Sequence, residues 1–491
     1  MPSDAAQPPT GAAALEAARR EVLRRLAPVL PLVTDLGERF AANGHALALV
    51  GGPVRDALVG RPSPDLDFTT DARPEETEPI LRSWGTAHWD VGRAFGTIGA
   101  QLGPVTVEVT TYRSEAYDRE SRKPAVEYGD SLEDDLSRRD FTINAMALTL
   151  PDLQLVDRHG GIADLAARLL RTPGTPEASF TDDPLRMMRA ARFSAQLGLA
   201  VAPEVRAAMS AMAGRLSIVS AERVHDELVK LLLSPDPVRG LRLLVETGLA
   251  DIVLPELPAL RLEVDEHHRH KDVYEHTLTV LEQARSLETG PDGPVPEPDL
   301  VLRLAALLHD IGKPATRRYE AGGRVSFHHH EVVGAKLAAK RLKALRFDSA
   351  TVKDVARLVE LHLRFHGYGG GEWTDSAVRR YVVDAGPLLE RLHRLTRSDS
   401  TTRNVRRARQ LSETYDDLER RIGRLAEQEE LAAVRPDLDG NEIMTTLGIG
   451  PGREVGEAYR HLLELRLERG PLGEEAARAE LAAWWSARHP T

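Results

Sequence analysis

The strongest constraint on this chain is an apolar segment that runs into a glycine turn and is soon followed by two closely spaced carboxylates. A strand, a tight turn and a helix start are predicted by Leu49-Val50-Gly51-Gly52-Pro53-Val54-Arg55-Asp56. Asp65 and Asp67 follow on a predicted strand, where alternate residues share one face. Glycines let backbone N–H groups approach a phosphate, and a helix N-terminus favours negative charge. The sequence therefore predicts a site for a nucleoside triphosphate and Mg²⁺.

A third acid and an arginine extend this predicted site. Glu108 lies among valines on the next strong strand, where an unpaired carboxylate is costly to bury. It is either a third metal ligand or an outward-facing residue whose neighbouring valines are the buried ones. Arg55 follows the glycine turn and offers a fork of donors for phosphate. Three acids on one edge would suit two Mg²⁺ ions in nucleotidyl transfer.

Composition narrows the class of protein. A chain of 491 residues is too long for one core, and its 42% hydrophobic and 28% charged residues are typical of a globular protein. The absence of cysteine excludes disulfides, thiolate zinc sites and a cysteine nucleophile. No apolar run reaches the ~20 residues of a membrane span, so we expect a cytoplasmic protein that does not bind membranes. A net charge of −11 argues against a general nucleic-acid coat but allows a local basic surface.

The pattern of apolar runs and breaks predicts an α/β head with a mixed sheet, followed by helical regions. The predicted segments are an N-terminal disordered or helical extension (1–33), the head (34–155), a helical neck (156–263), a histidine-rich helical body (264–413) and a helical tail (414–491).

Two further motifs carry arginines. One is Arg138-Arg139-Asp140-Phe141-Thr142-Ile143-Asn144-Ala145, which is either an ion-pair edge or a phosphate-binding element. The other begins Asp182-Asp183-Pro184-Leu185-Arg186, with Pro184 suited to the first helical position and Asp183 to its cap. Arg186, Arg189 and Arg192 then fall within about a third of a turn. Such a stripe is often a solvated face, but an aspartate beside an arginine can also recognise base edges.

Taken in order, these motifs resemble those of class II tRNA nucleotidyltransferases, the CCA-adding enzymes, and of the related bacterial poly(A) polymerases. The resemblance runs from about residue 34 to residue 258. It implies that Asp65 and Asp67 bind catalytic Mg²⁺ and that Asp183 and Arg186 act as an amino-acid template for the incoming base. The remaining residues that it places at the nucleotide are Gly51, Gly52, Arg55, Arg139, Arg189 and Arg192.

The activity that this resemblance implies is addition of C, C and A to the 3′ end of tRNA from CTP and ATP, with release of pyrophosphate. The expected partner is tRNA and not DNA. Alternatives within the family are a poly(A) polymerase and an enzyme that adds only C or only A. The family often has Glu-Asp before Pro-Leu-Arg, whereas this chain has Asp182-Asp183. Because the template position is retained, we expect base choice to be unchanged.

Eleven of the 17 histidines lie between His267 and His393. An apolar helix there ends in His309-Asp310, a pair that is either a helix C-terminal cap or, with His276 and Asp399, a divalent metal site. The pattern resembles the HD phosphohydrolase superfamily, which implies His276, His309, Asp310 and Asp399 as ligands. The ion would be Ni²⁺, Mn²⁺ or Mg²⁺.

The same resemblance suggests a second metal held by His330 and His362, with His366 as an alternative to His362. Such a site would hydrolyse phosphomonoesters or 2′,3′-cyclic phosphates at damaged tRNA ends. The rival interpretation is a structural HD fold that only supports RNA. An alternative of a different class is an HD phosphohydrolase whose head merely senses nucleotides.

Glycine-rich and arginine-rich stretches mark the C-terminal part. Leu438-Asp439-Gly440 and the segment 450–456 resemble the tail of related enzymes, and glycine turns that open a helix can hold a phosphate. The stretch 403–424 is dense in arginine, which suits either contact with tRNA or an ordinary charged helix with i,i+4 pairs.

Overall fold

The computed structural model describes residues 11–489 apart from 62–64, 117–124, 130, 263–271, 290–292, 294, 321–324, 369–372, 402–403 and 430–433. The chain forms two compact units, Met1–Val253 and Leu254–Thr491. The predicted disorder of residues 1–10 and the first histidines of the histidine-rich region lie outside the described residues.

A seven-stranded sheet of order β3-β4-β5-β2-β1-β8-β9 organises the first unit. Its strands are β1 (Leu47–Val50), β2 (Asp65–Thr70), β3 (Ala87–Trp89), β4 (Thr97–Leu102), β5 (Val105–Thr111), β8 (Met146–Leu150) and β9 (Leu155–Asp157). The pairs outside it are β6 (Arg113–Ala116) with β7 (Ala125–Tyr128) and β10 (Leu169–Leu170) with β11 (Ala200–Val201). Only β2 and β5 pair in parallel within this sheet. The predicted mixed sheet is therefore confirmed.

Twelve α-helices occur among the described residues of this unit. They are α1 (Gly11–Leu26), α2 (Leu30–Ala42), α3 (Gly52–Leu58), α4 (Pro74–Trp84), α5 (Leu132–Ser137), α6 (Gly161–Ala167), α7 (Pro176–Asp182), α8 (Arg186–Leu197), α9 (Pro203–Met212), α10 (Ala221–Leu232), α11 (Pro237–Glu246) and α12 (Ala250–Val253). Single 3₁₀ turns span Arg93–Phe95, Thr142–Asn144 and Ala213–Ile218.

One face of the sheet is apolar and covered by the N-terminal helices. Val22 of α1 and Phe40 of α2 share a core cluster with Phe68 of β2 and Val107 of β5. Along β5 the valines are buried while Glu108 is exposed, as period-two alternation requires. The opposite face of β2 and β5 is therefore the one that presents polar side chains.

The second unit is helical and contains one short hairpin among its described residues. Its helices are α13 (Val273–Ser286), α14 (Leu300–Leu308), α15 (Lys313–Thr316), α16 (His330–Ala344), α17 (Ser349–Leu361), α18 (Asp375–Ala385), α19 (Leu389–Asp399), α20 (Val405–Glu429), α21 (Gly440–Leu447), α22 (Arg453–Arg469) and α23 (Glu474–Arg488). The hairpin joins β12 (Arg318–Tyr319) and β13 (Val325–Ser326), and 3₁₀ turns span Pro258–Leu262, Arg364–Gly367 and Gly386–Leu388. The helical body and tail are thus confirmed as a fold class.

The tail helices α21 to α23 pack around their own apolar cluster, which includes Ile443, Leu462 and Leu481. Asp439 caps the start of α21 through a capping box with Glu442, and the glycine-rich segment 448–452 separates α21 from α22. Across the described residues of both units, no helix combines the length and apolarity needed to cross a membrane.

Helix α20 carries the arginine-rich stretch and forms ordinary ion pairs. Arg409 lies 3.0 Å from Glu413 one turn along the helix, and Arg421 lies 2.6 Å from Asp375 on α18. These contacts are those of a charged helix, while contact between this stretch and tRNA stays a prediction.

His393 of α19 is buried in an aromatic cluster of the second unit. Its ring stacks on Tyr381 with a centroid separation of 5.8 Å, and neither ring nitrogen makes a hydrogen bond to a described residue. Burial lowers the pKa of His393 to about 4, although Glu419, 3.6 Å from Nδ1, opposes that shift. The folded unit therefore keeps this imidazole neutral at a pH where the unfolded chain would protonate it.

We expect the second unit to lose stability between about pH 6.5 and pH 4 because the unfolded state alone takes up a proton on His393 there. The contribution of His393 to the free energy of unfolding is up to about 3 kcal/mol, and it is fully present above pH 6.5. The measurement is urea unfolding of the full chain followed by tryptophan fluorescence, and the part of the signal that is lost in Trp373→Phe, beside Tyr381, reports on this unit. His393→Leu should reduce the pH dependence, with the remainder coming from other buried groups such as His362, whereas His328→Gln at an exposed position should leave it unchanged. Equal pH slopes for His393→Leu and the parent would contradict this assignment.

Candidate active site and metal centre

Three carboxylates lie together on the polar face of the head sheet. Asp65 and Asp67 occupy alternate, exposed positions of β2, and Glu108 lies directly opposite Asp67 on β5. Directly paired residues of neighbouring strands point to the same side of a sheet. Glu108 can therefore be both an outward-facing residue and a candidate metal ligand, because the outward face of β5 is the one that carries the acids.

Electrostatics support close approach of these acids. Burial raises the pKa of Glu108, and the neighbouring Asp67 and Asp65 charges add to the rise. Burial also raises the pKa of Asp67, with Asp65 adding to the shift while Arg139 and Arg55 oppose it. Asp67 is exposed by area, yet surrounding protein atoms partly desolvate its carboxyl. Clustered carboxylate oxygens that repel one another suit a divalent cation such as Mg²⁺, which prefers oxygen ligands.

The glycine turn adjoins this acidic face on the β1 side. Gly51 has φ of 70° and ψ of −123°, a combination open to glycine, and it leads directly into α3. A Cβ on Gly51 would lie 3.0 Å from an Arg139 guanidinium nitrogen. The turn and Arg139 are thus adjacent, as a shared phosphate site requires.

Both arginines beside the turn are held by other side chains. The buried Arg55 donates from Nη1 to Asn144 Oδ1 at 2.6 Å and pairs with Asp56 at 2.8 Å. Arg139 donates from Nη2 to Asp135 at 3.2 Å. Burial alone would raise the pKa of Asp135, but Arg139 and Arg138 lower it. This buried carboxylate therefore stays charged and orients the guanidinium groups of Arg138 and Arg139.

The two residues expected to read the base lie at the start of α8, and each has defined partners. Asp183 accepts from Leu185 N at 3.1 Å through Oδ1 and pairs with Arg223 at 2.7 Å through Oδ2. It therefore caps the turn ahead of α8, which begins two residues later than the predicted helix start. Arg186 donates to Ser179 Oγ at 2.9 Å and to the carbonyl oxygen of Arg138 at 2.7 Å.

The other arginines of α8 do not form a solvated stripe. Arg189 pairs with the buried Asp140 at 2.7 Å. Arg192 is buried and donates to Glu227 of α10 at 2.5 Å. Arg192 therefore lies on the inner side of the helix, while the Arg189 side chain is 36% exposed and held by Asp140. Contact of either arginine with a nucleotide stays a prediction.

In the second unit, the ends of three helices (α14, α17 and α19) and the starts of two (α13 and α16) bring six predicted ligands into one largely buried cluster. His276 Nε2 lies 3.0 Å from Asp399 Oδ1, and His309 Nε2 lies 3.2 Å from Asp310 Oδ2. His330 Nε2 lies 3.2 Å from the other Asp310 oxygen, Oδ1. Two groups could each hold a metal, namely His276 with His309 and Asp310, and Asp310 with His330 and His362.

Three of these histidines are oriented in the same way. The Nδ1 atoms of His309, His330 and His362 each lie 2.6–2.9 Å from the carbonyl oxygen of the residue three positions earlier. Donation from Nδ1 leaves Nε2 as the lone-pair nitrogen. All three Nε2 atoms are buried and lack a hydrogen-bond partner among the described residues. The two alternatives for His309 are therefore compatible. Its Nδ1 caps the helix end, and its Nε2 is left for a metal.

The charges of this cluster are those of a cation site. Burial lowers the pKa of His309, but Asp310 and Asp399 outweigh it and raise that pKa to about 10. Burial and the neighbouring His309 lower the pKa of His362 to about 3. His309, Lys313 and His330 hold the pKa of Asp310 well below its usual range despite burial. Metals bind neutral imidazoles and charged carboxylates, so an ion at this cluster would displace the proton that Asp310 and Asp399 otherwise hold on His309.

The sequence did not reveal several supporting residues. Asn144 and Asp135 orient the head arginines, Arg223 holds Asp183, and Thr401 Oγ1 lies 3.0 Å from His276 Nδ1. Asn144 belongs to the arginine motif 138–145, and Thr401 lies two positions after Asp399. Closeness to a motif in the sequence could therefore have pointed to these two residues. The side chain of His366, the alternative to His362, lies outside the described residues.

Family models match three consecutive regions of the chain. They are described as a poly A polymerase head domain over 47–171, a probable RNA- and SrmB-binding site of polymerase A over 198–260, and an HD domain over 273–404.

Two curated relatives match almost their whole length. The chain is 37% identical to an A-adding tRNA nucleotidyltransferase of Deinococcus radiodurans over 89% of this chain and 95% of the relative. It is 34% identical to a CC-adding tRNA nucleotidyltransferase of Thermus thermophilus over 89% and 94%. A CCA-adding enzyme of Bacillus subtilis is 39% identical over 48% of this chain and 56% of that protein.

Solved structures share the fold. A Bacillus stearothermophilus CCA-adding enzyme in complex with CTP has a TM-score of 0.66 and 25% identity, covering 94% of this chain and 98% of that one. A Thermotoga maritima CCA-adding enzyme complexed with tRNA has a TM-score of 0.60 and 18% identity, covering 95% and 98%, which shows the fold alone. From its full-length relatives and its three matched regions, the chain belongs to the tRNA nucleotidyltransferase family and is an enzyme.

Proposed function

We propose that this protein extends the 3′ end of tRNA with C, C and A, using CTP and ATP, and that it works in the cytoplasm. The observation that carries the proposal is the placement of Asp65, Asp67 and Glu108 beside the glycine turn and Arg139. Carboxylates and phosphate donors on one sheet face are what transfer from a nucleoside triphosphate needs.

In the proposed reaction the tRNA 3′-hydroxyl attacks the α-phosphorus, an O–P bond forms, and pyrophosphate leaves in line. Asp65, Asp67 and Glu108 would hold Mg²⁺, which supplies charge neutralisation and a more acidic hydroxyl when bound. Arg55 and Arg139 bind the triphosphate together with backbone N–H groups at the start of α3, while the Gly51 N–H donates to the Met146 carbonyl oxygen. Since Asn144 and Asp135 already orient these guanidinium groups, little side-chain ordering remains for the binding step.

Base choice is assigned to Asp183 and Arg186. Arg223 and Leu185 N fix the carboxylate of Asp183, while Ser179 and the Arg138 carbonyl fix the guanidinium of Arg186. A carboxylate acceptor beside a guanidinium donor can pair with the edge of C or A, and U and G present different edges.

A second candidate is a partial activity that adds only C's or only A. It is favoured because the two relatives matched along most of the chain are named as A-adding and CC-adding enzymes. Poly(A) synthesis remains the third alternative, since one matched region is described as a poly A polymerase head.

Primer extension on tRNA lacking its last three nucleotides decides between these activities. We expect two C's with CTP alone and a stop at C-C-A with both nucleotides, as seen by sequencing product ends. A stop at C-C with both, or extension by A only on tRNA ending in C-C, would establish a partial enzyme. Long A tracts on unrelated RNA would establish a poly(A) polymerase.

Arg186→Ala should relax nucleotide choice about tenfold or more, because a bidentate contact gives about 1–3 kcal/mol of discrimination. The measurement is the ratio of kcat/KM for the correct nucleotide to that for UTP. Arg206→Ala, which removes a surface pair with Glu246, is the matched control and should leave the ratio unchanged. An unchanged ratio in Arg186→Ala would contradict the template role.

We further propose that the HD cluster is a metal-dependent phosphohydrolase acting on phosphorylated RNA ends. His276, His309, Asp310 and Asp399 would hold one divalent ion, and His330 and His362 with Asp310 a second. The three buried Nε2 atoms without a partner among the described residues support this assignment. When bound, the metal supplies Lewis-acid activation of water.

We expect hydrolysis of a 2′,3′-cyclic phosphate end by the parent to depend on added Ni²⁺, Mn²⁺ or Mg²⁺ and to fall at least 100-fold in His309→Ala. Nucleotidyl transfer should stay intact in that variant and serves as its folding control. His328→Gln, at an exposed histidine outside the cluster, should retain hydrolysis. If neither parent nor variant shows metal-dependent hydrolysis, the HD fold is structural.

A further inference from the structure

Trp89 lies on the acidic face of the head sheet, away from the buried core. In the sheet register Trp89 of β3 pairs with Gly99 of β4, and Gly99 pairs with Glu108 of β5. Glu108 in turn pairs with Asp67 of β2. These four residues therefore form one row across four strands, with an indole at one end and the carboxylates at the other.

The glycine in this row lets the indole lie flat on the sheet. A Cβ on Gly99 would meet Trp89 Cε2 and Nε1 at 2.1 Å and Cζ2 at 2.6 Å. Because that bond would project out from the sheet into the ring, one face of the indole covers the glycine. The opposite face is turned away from the sheet, and Trp89 is only half-buried.

The row also gives the distance and the direction from Trp89 to the reacting groups. Neighbouring strands lie about 4.8 Å apart, so Trp89 is about 10 Å from Glu108 in backbone terms, and its indole lies between them over Gly99. The glycine turn after β1 lies on the other side of Asp67, because the strand order is β3-β4-β5-β2-β1. Triphosphate anchors and indole therefore flank the carboxylates from opposite sides.

In-line transfer places the attacking hydroxyl and the leaving pyrophosphate on opposite sides of the α-phosphorus. With the triphosphate on the β1 side, the RNA end must approach from the β4 and β3 side. We propose that Trp89 is a stacking platform for the unpaired base at the 3′ end of the RNA being extended. The proposal rests on the proposed catalytic role of Asp65, Asp67 and Glu108.

Stacking fits the chemistry of an end that changes as it grows. Every base has a π-face, so an aromatic platform holds C or A alike, while selection of the incoming base is left to other residues. Phe95, which is 51% exposed, lies in the turn between β3 and β4 and adds a second aromatic ring at this end of the sheet.

The competing explanation is structural, since an aromatic residue that covers a strand glycine also stabilises sheet pairing. Trp89→Phe keeps a π-face, and Trp89→Leu keeps an apolar cover without one. His88→Ala changes the neighbouring residue of β3, which points to the other face, and is the matched control.

We expect Trp89→Leu to raise KM for tRNA about tenfold and to leave KM for the nucleotide within about twofold. Trp89→Phe and His88→Ala should stay within about threefold of the parent for tRNA. A primer with an abasic 3′-terminal residue should raise the KM of the parent by the same factor. In Trp89→Leu, the abasic primer should raise KM little beyond the value for the intact primer. Independent losses from the variant and from the abasic primer would overturn the proposal, as would an unchanged KM for tRNA.

A binding measurement separates this proposal from the proposed reaction. Without nucleotide or Mg²⁺, tRNA lacking its terminal nucleotides should quench a fluorescence component that is present in the parent and missing in Trp89→Phe. Quenching without any extension would retain the platform and refute the catalytic assignment. Extension by the parent without this quenching component would refute the platform alone.

Discussion

Repulsion among three carboxylates is the constraint around which the head is built. Parallel pairing of β2 with β5 fixes Asp67 opposite Glu108, and burial together with the neighbouring carboxylates raises the pKa of these two groups, although Arg139 and Arg55 oppose the rise at Asp67. The opposite face of the same strands is packed with apolar side chains, so this arrangement cannot relax without loss of the core. Charge of one sign is thus concentrated where a cation and a polyphosphate can meet.

The positive side of the site is held more tightly. Arg55, Arg139 and Arg186 each have a partner elsewhere in the first unit, and those partners are an amide, a buried carboxylate and a backbone carbonyl. Such fixed donors cost little reorganisation at the moment of reaction. The link from Arg186 to the carbonyl of Arg138 also joins the arginine motif of the head to α8.

Local pattern was enough to predict part of this arrangement. The alternation of β2 predicted that Asp65 and Asp67 share a face, because the strand period is fixed by backbone geometry. The same pattern could not decide the role of Glu108, since its position opposite Asp67 depends on the register between β2 and β5. The partners that hold the arginines could not be predicted, since Asn144 lies 89 positions from Arg55 and Arg223 lies 40 positions from Asp183. The spacing of Arg186, Arg189 and Arg192 predicted one helix face but not the partners of these arginines, because Asp140 lies in the head and Glu227 on another helix.

The histidine cluster shows how a centre can be specified by short-range structure. His309, His330 and His362 each have their ring direction set by a carbonyl only three positions back in the chain. The direction of each imidazole is therefore set by local backbone structure, and tertiary packing sets the separation of the three chain segments. A packing error in this unit would then change the spacing of ligands more than their direction. Changes in helix packing could therefore change the ion radius that such a centre prefers while every ligand is retained.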